Sequence, residues 1–129
     1  YAAFEDIYKQ FDEFRTQVDN LRKHMKNRLL CEFTDIQFTG CQDNYLQTVL
    51  NVSFPPHPKN KMLLQNLDLK GICVSGGSAC NSGAQKASHV LNAIYGDDYE
   101  RSNVRFSFSH FNTVEEIDMT IQALKEIFA

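Results

Sequence analysis

The chain has 129 residues, of which 43% are hydrophobic and 22% charged, and its formal net charge is −3. That length makes one ordinary domain able to bury a core, and the acidic balance leaves no surplus of cations to hold nucleic acid. No apolar run approaches the roughly 18 residues of a membrane span, and Tyr1–Gln17 is too rich in Glu, Asp, Lys and Arg to be a secretory leader.

Tyr1 to Leu30 reads as one long helix. Phe4, Ile7, Tyr8, Phe11, Phe14, Val18, Leu21 and Met25 step by three and four, which lines up one apolar face. No initiator Met and no N-cap precede the pattern, so the expectation is a piece of a longer polypeptide. Glu32 to Thr39 alternates imperfectly around Phe33, Ile36 and Phe38 and is predicted as a strand. After turn residues at 40–44, Tyr45 to Phe54 is predicted as a second strand. Leu46, Thr48, Leu50, Val52 and Phe54 share one face, with Val49, Asn51 and Ser53 on the other. Prolines at 55, 56 and 58 end it, and His57 between them reads as a solvent-exposed residue rather than a metal ligand.

Asn60 is the expected N-cap of a short helix, Lys61 to Leu69, with Met62, Leu63 and Leu67 on its buried side. Gly71 is expected to start a strand, Ile72 to Ser75, in which Cys73 belongs to the core. A run of Gly, Ser and Ala around Cys80 follows. Ser88 then reads as the N-cap of a helix to Tyr95, closed by Gly96. Val104, Phe106 and Phe108 alternate with Arg105, Ser107 and Ser109 in the clearest strand pattern of the chain. Thr113 and Glu116 have the spacing of a capping box, and the last helix is expected to reach Phe128. The order of elements predicts an α/β (α+β) domain: a small mixed, partly antiparallel sheet covered by helices, with a boundary near Leu30.

Two residues could carry chemistry. Cys80 lies among small residues that leave sulfur accessible, yet a free cysteine is also a common inert core residue. Activation would require a cation, a helix N-terminus or a base. Lys86 and His89 are near in sequence, but nothing assigns either of them that part. Arg105 lies on the polar face of its strand, where a guanidinium can make a surface ion pair or grip a carboxylate at two points. Cys31 and Cys41 have no motif around them, and the four cysteines make no C-x-x-C pair of the kind that binds zinc. With no sign of secretion, the thiols are read as reduced. Asn51 could help to shape a site. The glycine run lacks the Gly-Lys-Ser/Thr of a phosphate cradle.

Ser-Gly-Gly-Ser-Ala-Cys-Asn-Ser-Gly, then Ala-Ser-His-Val-Leu, Asn-Val-Arg-Phe-Ser-Phe-Ser and Asn-Thr-Val-Glu-Glu-Ile-Asp occur in that order. Over about Thr48 to Leu124 the chain resembles the C-terminal part of NifS-like (group I) cysteine desulfurases of the aminotransferase class V family. The resemblance implies the small C-terminal domain of a fold-type-I pyridoxal-phosphate transferase at 31–129, with residues 1–30 as the linker helix from a large domain. It implies that Cys80 is the nucleophile and persulfide carrier and that Arg105 clamps the substrate carboxylate. It further implies L-cysteine as substrate, pyridoxal 5'-phosphate as cofactor, an iron–sulfur scaffold or other sulfur-acceptor protein as partner, a homodimeric parent and a cytoplasmic setting. Neither a metal nor a membrane is implied. The family's cofactor lysine and phosphate contacts have no matching motif here, so no cofactor-binding residue is assigned and the chain alone is expected to be inactive. Asn81 and Ala87 stand where relatives often carry Thr and Pro. A selenocysteine lyase small domain and a free-standing persulfide carrier are the alternatives.

Overall fold

A computed structural model describes residues 2–41, 43–76, 93 and 101–129. Three antiparallel strands, β1 (Gln37–Phe38), β2 (Val49–Phe54) and β3 (Ser102–Ser107), form a sheet in the order β1-β2-β3. The helices are α1 (Ala2–Glu32), α2 (Leu63–Leu69) and α3 (Val114–Phe128). Every described strand pair is antiparallel, with Asn51 opposite Arg105 and Val52 opposite Val104.

The core is the layer between the sheet and the helices. Leu50, Val52 and Phe54 of β2 meet Val104 and Phe106 of β3 on one face, and Phe108 extends that row. Val18, Leu21, Met25 and Leu29 of α1 cover them together with Ile117, Ile121, Leu124 and Ile127 of α3. This is the α+β solution to burying one apolar sheet face. The first part of α1 lies outside the core: Phe4, Tyr8 and Phe11 are exposed. Its anchoring begins where the Phe14 ring stacks on His110, with centroids 4.0 Å apart, and where Gln17 donates to the His110 carbonyl.

Several predicted boundaries shift, each for a local reason. The first helix continues to Glu32, and Phe33 N still donates to Leu29 O. Asp35 then takes a positive φ of 55°, so the predicted strand 32–39 shrinks to Gln37–Phe38. Arg101 holds that turn by donating to both the Asp35 carbonyl and its carboxylate. The second strand starts at Val49 rather than Tyr45, because Val49 N closes a turn onto Leu46 O. Leu46 is therefore exposed. Tyr45 turns to α1, where its hydroxyl donates to Asp19 and its ring lies 3.7 Å from the buried Arg22 guanidinium.

Asn60 is not the N-cap: α2 follows Met62 with no side-chain cap, and the capping side chain is that of His57. His57 begins a 3₁₀ turn, Pro58–Met62, and its Nδ1 accepts from Lys59 N. Its ring is half-buried, edge-on to Phe128, rather than solvent-exposed. Met62 is exposed, whereas Leu63 and Leu67 are buried. Gly71 ends α2 instead of opening a strand. At φ 77° it donates to Asp68 O while Ile72 N donates to Leu67 O, the paired bonds of a Schellman cap. Of the expected strand 72–75 only a bridge at Ser75 forms. Ile72 and Val74 pack on the core, so Cys73 between them is exposed rather than buried. The predicted helix Ser88–Tyr95 lies outside the described residues apart from Ala93.

The capping box at Thr113 and Glu116 forms with both reciprocal hydrogen bonds. Lys125 of α3 reaches Glu32 of α1 at 2.6 Å, and Lys70 after α2 reaches Glu126 of α3 at 2.6 Å. Hydrogen bonds from Lys125, Asn112 and Lys70 respectively lower the carboxyl pKa values of Glu32, Glu116 and Glu126 below the ordinary 4.5. Depressed carboxyl values mean stability that is fully present above the unfolded value and lost as pH falls through the folded ones. The melting temperature of the chain is therefore expected to hold from pH 7 to about 5 and to fall below pH about 4.5. Melts of the triple variant Glu32→Gln, Glu116→Gln, Glu126→Gln should lose part of that acid dependence. An unchanged profile would remove these carboxylates as its source.

Candidate functional site

β3 carries the site because its alternation leaves no choice of face. Val104, Phe106 and Phe108 are buried, so Arg105 and Ser107 project from the opposite, outer face. Arg105 is flanked on both sides. Asn51 of β2 opposes it in register, and Ser75 pairs with it from the other edge as an isolated antiparallel bridge. Arg105 N donates to Ser75 O at 2.6 Å and Ser75 N donates to Arg105 O at 3.2 Å. Asn51, Arg105 and Ser75 thus form one polar row across the outer face.

The side chains extend this arrangement. Arg105 Nε donates to Ser75 Oγ at 2.9 Å. Among the described residues no carboxylate pairs with Arg105, and its two terminal nitrogens make no hydrogen bond. Arg101, four residues earlier, has the contrasting fate. Its guanidinium donates to Ser53 Oγ and O and pairs with Asp35 at 3.1 Å, and its side chain is only 12% exposed. Arg101 is consumed by structure, whereas Arg105 is held by one neutral hydroxyl with its charged end exposed.

Gly76 explains how the chain passes so close to β3. A Cβ at that position would lie 2.7 Å from Leu64 Cδ1 and 3.0 Å from the Asn103 carbonyl oxygen. The segment that begins there leads to Cys80, which lies outside the described residues, as do Lys86, His89, Asn81 and Ala87. The structure therefore places Arg105 and the root of the cysteine segment side by side.

The other cysteines are exposed: Cys31 on α1, Cys41 in the turn before β2, and Cys73. The Cys41 thiol is lowered from its ordinary pKa by the backbone N–H of Asn44 and then that of Asp43. Cys73 lines an open groove of about 730 Å³ with Ile72, Phe106, Phe108 and Met119. That groove opens at the C-terminal end of β3, where Phe106, Ser107 and Phe108 line it. Among the described residues no group of three His, Cys, Asp or Glu could hold a metal, and no helix is long and apolar enough to cross a membrane.

The aminotransferase class-V family profile matches residues 2–120. The chain belongs to this family. It is 32% identical over 125 residues to the cysteine desulfurase IscS of Pseudoalteromonas translucida, covering 96% of this chain and 30% of the relative. It is 36% identical over 124 residues to the mitochondrial cysteine desulfurase of Candida albicans, covering 93% of this chain and 25% of that protein. The X-ray structure of the NifS-like protein from Rickettsia africae superposes with a TM-score of 0.76 at 26% identity. It covers 93% of this chain and 30% of that one. The fold class expected from the sequence is thus the one these relatives share. The chain spans about 30% of the length of the Pseudoalteromonas relative and of the Rickettsia structure.

Ser75 was legible as part of the glycine-rich motif but not as a site residue. Its partner is 30 residues away, and only the sheet brings them together.

Gly76→Ala should cost about 1 kcal/mol or more, since the Leu64 methyl can rotate aside but the β3 carbonyl cannot. Thermal denaturation together with amide exchange of Arg105 checks this. An unchanged melting temperature with a fully protected Arg105 amide would show that the close approach is not a constraint.

Proposed function

We propose that the chain is the substrate-carboxylate-binding and sulfur-carrying part of a pyridoxal-phosphate-dependent cysteine desulfurase. The observation that carries the reading is Arg105, held by Ser75 with its charged end unpaired among the described residues, five residues of chain from Cys80. Five residues span at most about 18 Å. On this reading the sulfur is brought to a small amino acid gripped by Arg105 and is then delivered to an external acceptor. The names of the relatives and the match of Asn-Val-Arg-Phe-Ser to the family motif support the same assignment.

The proposed reaction transfers one sulfur atom. The Cys80 thiolate attacks the sulfur of L-cysteine, the bond from that sulfur to the substrate's β-carbon breaks, and the carbon skeleton takes up a proton and leaves as L-alanine. The thiol becomes a persulfide, and atoms and electrons balance without an added oxidant. Arg105 orients the substrate through a two-point charge-assisted grip on its carboxylate. An iron–sulfur scaffold or another sulfur-acceptor protein then takes the sulfur from the persulfide. A homodimeric, cytoplasmic parent belongs to the same reading, with residues 1–30 as its linker helix and 31–129 as its small domain.

Pyridoxal phosphate provides an electron sink in such reactions. A lysine that forms its Schiff base is desolvated, with a depressed pKa. The described lysines do not fit that requirement. Lys23, Lys70 and Lys125 are exposed and ion-paired to Asp19, Glu126 and Glu32, and the pKa of Lys23 is raised by its hydrogen bond to Asp19. Lys59 and Lys61 are exposed, and Lys26 lies over the Phe38 ring. These six lysines thus offer no attachment point for the cofactor, and we assign its attachment elsewhere in the protein.

The test uses the complete gene product that contains these residues, with alanine and sulfide measured from L-cysteine under reducing conditions. Cys80→Ser is expected to lower sulfide release at least 100-fold while the cofactor absorbance is retained. Full sulfide release by the variant would remove Cys80 as nucleophile and move a selenocysteine lyase reading ahead.

A further inference from the structure

We infer that Ser75 is a positioning residue for carboxylate recognition, fixing Arg105 so that it presents the end of its guanidinium fork. The inference rests on the carboxylate reading of Arg105 above.

A guanidinium has five N–H donors, one on Nε and two on each terminal nitrogen. It can take a carboxylate side-on, through Nε and one terminal nitrogen, or end-on, through both terminal nitrogens. Here Nε is already committed to Ser75 Oγ at 2.9 Å. The side-on geometry is therefore blocked, and the end-on pair faces outward without a partner among the described residues. Ser75 is itself fixed. Both of its backbone groups are bonded to Arg105, so the hydroxyl is anchored to the same residue that it orients. At Gly76 an added Cβ would lie 2.7 Å from Leu64 Cδ1 and 3.0 Å from Asn103 O, so the chain after Ser75 has room for glycine alone.

Two consequences separate this role from simple packing. An arginine side chain has many rotamers to lose, and part of that freedom is lost in advance when Nε is tied down, so a carboxylate meets a fork that is already aimed. In addition, the residue that aims the fork is covalently continuous with the segment carrying Cys80. Substrate capture and the start of the sulfur tether therefore share one residue.

The experiment is steady-state kinetics on the complete gene product, with inhibition constants for L-alanine, which has the carboxylate, and for cysteamine, which lacks it. Ser75→Ala is expected to raise KM for L-cysteine and the inhibition constant of L-alanine about fivefold, the equivalent of one ordinary hydrogen bond. kcat and the cysteamine constant should stay within about twofold. Ser75→Thr keeps the hydroxyl and should restore KM. Arg105→Ala should raise KM well beyond the Ser75→Ala value.

Ser75→Ala constants equal to wild type, beside a large Arg105→Ala effect, would overturn the role of Ser75 and leave the carboxylate reading standing. Arg105→Ala constants equal to wild type would overturn both. A parallel loss of kcat, cysteamine binding and melting temperature in Ser75→Ala, unrelieved by threonine, would reduce Ser75 to a structural residue.

Discussion

The register between β2 and β3 is the constraint on which the rest depends. A strand's side chains alternate with period two, so a slip of one residue would drive Arg105 into the apolar layer and lift Val104 and Phe106 into water. Burying an unpaired guanidinium costs several kcal/mol, and exposing two large apolar side chains adds more. The register is therefore held by the core, not by the site. Its by-product is that Asn51, Arg105 and Ser75 line up on the far face, and that the chain leaving Ser75 starts beside the one arginine of β3.

The arginines show how environment divides one residue type among several tasks. Arg22 is buried, donates to Val49 O and lies against the Tyr45 ring, which ties α1 to the start of β2. Arg28 lies 3.0 Å from Asp118 and bridges α1 to α3, with both groups partly exposed and the pair correspondingly weak. Arg101 locks the turn after α1. Each of these three meets a carbonyl or a carboxylate. Among the described residues Arg105 meets only a hydroxyl, which orients a cation without neutralising it.

The sequence made legible whatever was decided within a few residues. The alternation of Val104, Phe106 and Phe108 foretold both the strand and the outward face of Arg105. Thr113 and Glu116 foretold the helix start. What it hid depended on partners distant in the chain or on competition between local signals. Asn60 reads as a cap, but Pro58 favours the first position of a turn and hands the cap to His57. Gly71 reads as the opening of a strand, but its positive φ completes the α2 cap and leaves Cys73 facing out. Tyr45 reads as a strand residue because its pull toward Arg22 and Asp19 on α1 has no local signature. The pairing of Ser75 with Arg105 is of the same kind, a product of topology alone.

The length of α1 has a consequence of its own. At 1.5 Å per residue its 31 residues extend about 46 Å, yet among the described side chains the core takes up only the stretch from Val18 to Leu29. A helix of this kind owes most of its stability to tertiary packing rather than to intrinsic propensity. Its backbone protection is thus graded along its axis. Amides around Met25, within the packed stretch, are expected to be the best protected, and those near Phe14 and Gln17 to open when the His110 contact breaks. One continuous helix therefore contains more than one stability regime.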